Sequence, residues 1–246
     1  MTDAELARHI AETAGALLVK LQKSGLFEGK ALGKAGDRVA NAFIMEALKS
    51  QRPDDAVLSE EEAADPARLE ASRVWIVDPL DGTREYGEAR TDWAVHIALA
   101  IDGAAEVGAV ALPGVPVTLA TTPAPAPVPA ANGKLRMLVS RTRPAAEAVM
   151  VAEKLGAELV PMGSAGAKAM AVVRGEADIY LHSGGQYEWD SCAPVAVARA
   201  AGLHTSRIDG SPLVYNRENP YLPDLLICRK EDAGRVFDAL GVSVPG

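Results

Sequence analysis

Two aspartates three positions apart close an apolar run in Trp75-Ile76-Val77-Asp78-Pro79-Leu80-Asp81-Gly82-Thr83. In a turn at a strand end, the Asp78 and Asp81 carboxylates can face one cation, and a backbone carbonyl such as that of Leu80 can add another hard oxygen. Magnesium favours such a set: a few carboxylates and carbonyls, with positions left for water and a phosphate. Pro79 fixes the turn. Thr83 would set a hydroxyl just past the ligands, where it could orient a nucleophilic water. Asp-Gly and Pro are also ordinary turn formers, so local composition supports a metal loop and a plain turn about equally.

Four other segments carry compatible chemistry. Ser59-Glu60-Glu61-Glu62 follows the run Ala56-Val57-Leu58, placing a second acidic group at a strand end. Glu60, nearest the strand, is the candidate for a shared metal ligand; Glu61 and Glu62 read as a solvated face. Glu188-Trp189-Asp190-Ser191 opens a small-residue helix with Asp190 at its N-cap. A cap alone is worth about 1 kcal/mol, and beside a dication the same carboxylate can serve both tasks. Pro161-Met162-Gly163-Ser164-Ala165-Gly166-Ala167-Lys168 precedes a helix whose free N–H groups favour an anion. Lys168 then adds a cation or is a surface lysine. Ser140-Arg141-Thr142-Arg143-Pro144 is another strand-to-helix loop suited to a phosphate. His96, inside an apolar strand, and His182, in a Gly-Ser loop, have no partner at metal spacing and read as structural. Trp75, Trp93 and Trp189 read as core or site-wall residues, and Cys192 and Cys228 as buried thiols.

The elements that must position these residues follow from hydrophobic period. Leu6, Ile10, Ala14, Leu17, Leu18 and Leu21 mark one face of a helix from Ala4. A second helix is expected from Asp37, an acidic residue suited to a helix start, to Pro53. Short β-type runs follow at 56–58, 74–77, 94–99, 107–112 and 116–120, which suggests an antiparallel sheet. Thr121 to Ala130 alternates proline with small residues and reads as a linker or exposed loop. Beyond it strands at 135–139, 158–160, 178–181 and 225–228 alternate with helices at 145–155, 165–174, 191–201 and 232–240, an α/β pattern. The division expected is residues 1–130, helices plus an antiparallel sheet with the metal motif, and 131–246, an α/β part with substrate loops and the last metal-ligand aspartate.

The 246 residues are 48% hydrophobic and 24% charged, ordinary globular composition. A net charge of -8 disfavours a nucleic-acid polymer as partner, whereas a small anionic substrate is compatible if bound cations mask the local acidity. No apolar run suits a bilayer span, and the N-terminus lacks a secretory pattern, so a soluble, cytoplasmic protein with no membrane partner is expected.

Taken together, the segments resemble the inositol-monophosphatase-like, lithium-sensitive, magnesium-dependent phosphatase superfamily over nearly the whole chain. Asp78-Pro79-Leu80-Asp81-Gly82-Thr83 and the later Trp189-Asp190 carry that resemblance. Asp81-Gly82-Thr83-Arg84-Glu85-Tyr86, Gly163-Ser164-Ala165-Gly166-Ala167-Lys168 and Glu188-Trp189-Asp190 look most like its CysQ branch, the 3'(2'),5'-bisphosphate nucleotidases of sulfur assimilation. The resemblance implies a layered αβαβα sandwich and two or three Mg2+ ions. Glu60, Asp78 and the Leu80 carbonyl would hold one ion, Asp78, Asp81 and Asp190 a second, and Glu60 with waters a third. It further implies Asp37 as proton acceptor with Thr83 as its partner, and Glu60 or Thr83 activating a water. Substrate contacts would come from Asp81, Gly82, Thr83, Ser140, Arg143, Gly163, Ser164, Lys168 and Asp190; Arg143 stands where the nucleotidases often have histidine. Adenosine 3',5'-bisphosphate is the favoured substrate. Inositol-1-phosphate and fructose-1,6-bisphosphate are the alternatives within the superfamily, and a non-catalytic metabolite-binding regulator is the alternative outside it. Inositol enzymes often have an acidic residue where this chain has Ser183. A homodimer is compatible with this reading.

Overall fold

The computed structural model describes residues 1–126 and 133–242. Two helices lead, α1 (Asp3–Gln22) and α2 (Gly29–Gln51). A capping box starts α1: the Thr2 side chain accepts the Glu5 N–H while the Glu5 carboxylate accepts the Thr2 N–H. There follow β1 (Ala56–Ser59), a 3-10 turn (Pro66–Glu70), β2 (Arg73–Asp81), α3 (Thr83–Gly87), β3 (Ala94–Ile101), β4 (Ala104–Leu112) and β5 (Val117–Ala120). Strands β1 to β5 lie in chain order in one five-stranded sheet. Its pairs are antiparallel except β1 with β2, which is parallel.

The second part runs β6 (Arg136–Ser140), α4 (Ala146–Leu155), β7 (Glu158–Met162), α5 (Ala165–Val173), β8 (Ile179–Ser183), α6 (Glu188–Ala200), β9 (His204–Ser206), β10 (Asp224–Cys228) and α7 (Lys230–Leu240). Its sheet has the order β7-β6-β8-β10-β9, with β6 parallel to β7 and β8, and β10 antiparallel to β8 and β9.

Because successive strand residues point to opposite faces, three buried clusters separate five layers. Trp75 and Val77 on β2, and Val95, Ile97 and Leu99 on β3, pack against Leu6, Ile10 and Leu18 of α1 and Ile44 of α2. Val74, Ile76, Ala94, Ala98 and Ala100 face the other way, onto α5 and α6, and these helices in turn meet Leu138, Tyr180, Leu225 and Ile227 of the second sheet. Met137, Ile179 and Leu226 bury the far side of that sheet against α4 and α7. The architecture is therefore the expected αβαβα sandwich. Small residues on β3 and Gly108 on β4 let α6 lie close; a Cβ at Gly108 would fall 2.7 Å from the Ala193 carbonyl oxygen.

Four local expectations need correction. Helix α2 starts at Gly29, so Asp37 lies within it rather than at its start. Its glycines argue against a helix in isolation, but Gly33 and Gly36 are close-approach points: added Cβ atoms would fall 2.7 Å from Thr83 Cγ2 and 2.8 Å from Leu80 Cδ2. Asp190 is not the N-cap of α6. Tyr187 is, and Asp190 in the first turn accepts the Tyr187 N–H at 2.8 Å. Strand β2 continues through the motif to Asp81, with a register shift between Asp78 and Asp81. The first sheet is mixed rather than wholly antiparallel, through the parallel pair β1–β2. The proline-alanine stretch beyond residue 126 and the division at residue 130 lie outside the described residues.

Candidate active site

Asp78, Asp81 and Asp190 each present a carboxylate oxygen within 4.8 Å of the others. The first two come from the irregular end of β2, where the Leu80 N–H closes back on Asp78 Oδ1 at 3.1 Å. Gly82 then takes φ +89°, and an added Cβ there would fall 2.9 Å from Ser164 Cβ. A side chain at this position would therefore meet both backbone strain and a clash. The first turn of α6 delivers the third carboxylate from the middle layer. Glu60, hydrogen-bonded through its backbone to Val77 at 3.2 Å, has its carboxyl group bonded to that of Asp78.

The carboxylates differ in how the fold treats their charge. Burial disfavours ionisation of Asp81, yet the His96 ring and the Gly166 N–H outweigh it and hold Asp81 below the usual carboxylate range. Its oxygens accept the Ala165 N–H at 3.2 Å and the Gly166 N–H at 2.6 Å, both at the positive end of α5. His96 Nε2 lies 3.2 Å away, and that ring is itself raised because the Asp81 charge overcomes its burial. Asp78 is pushed well above its ordinary value by burial and then by the Glu60 and Asp81 charges. Burial and Asp81 push Asp190 up to about 7; burial and Asp190 do the same to Glu60. Crowded carboxylates of this kind fit a divalent cation: hard oxygen donors are converged, and while His96 and Lys168 offset charge on Asp81 and Asp190, no neighbouring cation is among the causes that shift Asp78 and Glu60.

Beside them the Thr83 hydroxyl lies 3.3 Å from Asp37 Oδ1 and 3.2 Å from the Leu80 carbonyl oxygen. Burial first, and the Glu61 charge second, raise Asp37 to about 7. The sequence placed these two residues far apart; the close packing of α2 on α3 joins them.

An open cleft of about 820 Å³ extends from Asp81 and Asp190 across to the start of α4. Gly82, Gly163, Ser164 and Lys168 line its near side, and Ser140 and Arg143 its far side. The anion site expected at the start of α5 is already taken. Ala165 and Gly166 donate to Asp81, and Ala167 donates to the Ser164 hydroxyl at 3.1 Å. Lys168 is no surface lysine: it is buried, donates to the Gly163 and Ser164 carbonyls, and lies 5.3 Å from the centre of the Tyr180 ring. Burial lowers it to about 8. Arg141 is bound to Glu85 at 2.8 Å and Glu88 at 2.5 Å, whereas the Arg143 guanidinium has no side-chain partner among the described residues.

The structure thus gathers Asp37, Glu60, Asp78, Leu80, Asp81, Thr83 and Asp190 into one group, of which Asp81 and Asp190 line the cleft, and sets Ser140 and Arg143 on the cleft's other side. Sequence reasoning missed two residues here. Glu147 lines the cleft and accepts the Ser183 hydroxyl, but an acidic residue in the first turn of a helix looks like ordinary dipole complementation. His96 shares the α5–α6 face of β3 with Ala94 and Ala98; a lone polar residue among small ones was the available signal.

Comparison with known proteins agrees with this geometry. Residues 10–235 match the inositol monophosphatase family. A 3'-phosphoadenosine 5'-phosphate phosphatase of Mycobacterium leprae is 52% identical, over 95% of this chain and 91% of that protein. The 3'(2'),5'-bisphosphate nucleotidase CysQ of Escherichia coli is 32% identical, over 76% of this chain and 81% of its own. Among solved structures, CysQ from Bacteroides thetaiotaomicron superposes with a TM-score of 0.80 at 25% identity, covering 93% of this chain and 97% of that one. The layered fold, the converged carboxylates and these likenesses agree: the chain belongs to the inositol monophosphatase family.

Proposed function

We propose that this protein is a magnesium-dependent 3'(2'),5'-bisphosphate nucleotidase that converts adenosine 3',5'-bisphosphate to AMP and phosphate. One observation carries the choice of a bisphosphate: a single cleft joins the carboxylate group at Asp81 and Asp190 to a separate wall that presents the Arg143 guanidinium and the Ser140 hydroxyl. A substrate with one phosphate at each end matches that spacing of functions. The likeness to relatives named for this activity supports the same reading.

Glu60, Asp78, the Leu80 carbonyl, Asp81 and Asp190 are the residues that would hold Mg2+. Held there, Mg2+ would supply the positive charge that makes a water more acidic and offsets charge on the leaving oxygen. Thr83, donating to Asp37, keeps lone pairs free to accept a hydrogen bond from the attacking water. Asp37, poised near 7, is matched to taking up the proton at neutral pH. Glu60, beside Asp78, can orient the same water. Gly82, Gly163 and Ser164 shape the near wall around the scissile phosphate, Lys168 braces the Gly163-Ser164 turn from below, and Arg143 with Ser140 meets the other phosphate.

A second reading, an inositol or sugar phosphate substrate, draws on Glu147: a carboxylate on the cleft wall can accept hydrogen bonds from a polyol. Phosphate release from adenosine 3',5'-bisphosphate, inositol-1-phosphate and fructose-1,6-bisphosphate, measured side by side with and without lithium, decides between them. The nucleotidase reading requires the highest kcat/KM on the adenosine bisphosphate. A sugar or inositol phosphate in first place rejects it while leaving the metal chemistry intact.

A further inference from the structure

Three buried features converge on one side chain. His96 is wholly enclosed on β3. Its Nδ1 lies 3.0 Å from the Trp189 carbonyl oxygen, and its Nε2 lies 3.2 Å from Asp81 Oδ2. Trp189 immediately precedes Asp190. The ring therefore bridges the end of β2 to the first turn of α6, the two segments whose carboxylates must converge.

Residue 166 fits the same bridge. A Cβ at Gly166 would fall 2.1 Å from His96 Nε2. The glycine leaves room for the ring and places its N–H 2.6 Å from the Asp81 oxygen that the ring also approaches. Neither contact is needed for packing alone, since β3 carries alanines at positions 94 and 98 on the same face and the helices close over them.

We propose that His96 is a positioning residue for the second cation: it sets the separation of Asp81 and Asp190, with Gly166 as the residue that admits it. Groups behind metal ligands that fix their orientation commonly change metal affinity ten- to a hundredfold when removed, although they never touch the ion. His96 holds two ligand-bearing segments at once, so its loss loosens their mutual distance rather than a single side chain. The inference rests on the metal reading of Asp78, Asp81 and Asp190 given above.

The test is manganese binding to the metal-free protein, followed by electron paramagnetic resonance of the free ion, for the wild type and for His96→Leu and His96→Asn. Leucine fills most of the ring's volume but makes neither polar contact. Asparagine is too short to span both. The expected result is manganese binding at least tenfold weaker in His96→Leu and at least threefold weaker in His96→Asn. At saturating Mg2+ the substrate KM stays within threefold of wild type while the Mg2+ concentration for half-maximal activity rises in parallel. A role in packing alone predicts the opposite pattern: lower thermal stability with unchanged metal affinity. If folded His96→Leu, checked by near-ultraviolet circular dichroism, binds manganese less than threefold more weakly than wild type, the proposal is overturned. Should that variant not fold, His96→Asn decides by the same threefold limit. Failure of the wild type itself to bind manganese would instead reject the metal reading.

Discussion

Two helices begin at the cleft, and they treat anions differently. The first-turn N–H groups of α5 are satisfied from within the protein, two by the Asp81 carboxylate and one by the Ser164 hydroxyl. Helix α4 has Ala145 at its N-cap and therefore no side-chain cap, beside an Arg143 guanidinium that has no side-chain partner among the described residues. Helix α5 is a pre-built support for a protein anion, and the proposed function assigns the α4 wall to a ligand anion. The two walls should therefore separate in kinetics: changes on the α5 side fall on kcat and metal binding, and changes on the α4 side on KM and the choice of substrate.

The largest effect expected is from Asp81→Asn. Removing a charge that carries several kcal/mol of transition-state stabilisation through the ion lowers kcat by at least about a thousandfold. Circular dichroism should show the fold retained, and turnover within tenfold of wild type would break the distinction between the walls. Next comes Asp37→Asn. Loss of a general base costs roughly a hundredfold or more in kcat, and single-turnover phosphate release with KM little changed is the confirming pattern.

Arg143→Ala sharpens the comparison from the other side. Losing one charge-assisted contact to a phosphate raises KM for adenosine 3',5'-bisphosphate about tenfold, with kcat within about twofold. Inositol-1-phosphate, which has only one phosphate, should be indifferent to this change. Equal effects on both substrates would mean that Arg143 does not read the second phosphate.

The smallest expected effect lies outside both walls. Asp55 accepts from Arg73 at 2.8 and 2.9 Å and from the Trp75 indole at 2.9 Å, and the Arg73 bond above all holds it below the usual carboxylate range. A depressed folded pKa contributes stability that is fully present above the unfolded value of about 3.9 and lost as pH falls through the folded value. Asp55→Asn should therefore lower Tm by a few degrees at pH 7, consistent with about 1 kcal/mol after allowing for the half-exposed Arg73. The difference should shrink as pH falls below the unfolded value and vanish once it is below the depressed folded value. Activity at pH 7 and 25 °C should be unchanged, since neither wall is touched.

How much of this could be read in advance varied with the range of the interaction. Asp78-Pro79-Leu80-Asp81-Gly82 is legible because proline, glycine and a short-range turn suffice to turn two carboxylates the same way. The long helix α1 and the alternating strands β2 and β3 are legible for the same reason, since period and burial are written locally. The start of α2 was not, because Gly33 and Gly36 lower helix propensity and are tolerated only where Thr83 and Leu80 need the space. Lys168 reads in the sequence either as a phosphate-facing cation or as a surface lysine, for burial of a lysine depends on carbonyls and a tyrosine ring that the folded chain supplies.

The amino-acid order by itself thus determined the succession of helices and strands and the acidic turn, each set by short-range geometry and by hydrophobic period, whereas the layering and the full set of residues able to hold a cation followed from the family resemblance. Tertiary structure alone decided which of those groups would be neighbours. It directed the N-terminal amides of α5 to Asp81 rather than to a ligand, enclosed His96 between two ligand segments, and put Asp37 beside Thr83. Those outcomes depend on the approach of elements distant in the chain, and close packing of the middle layer settles them to within an ångström.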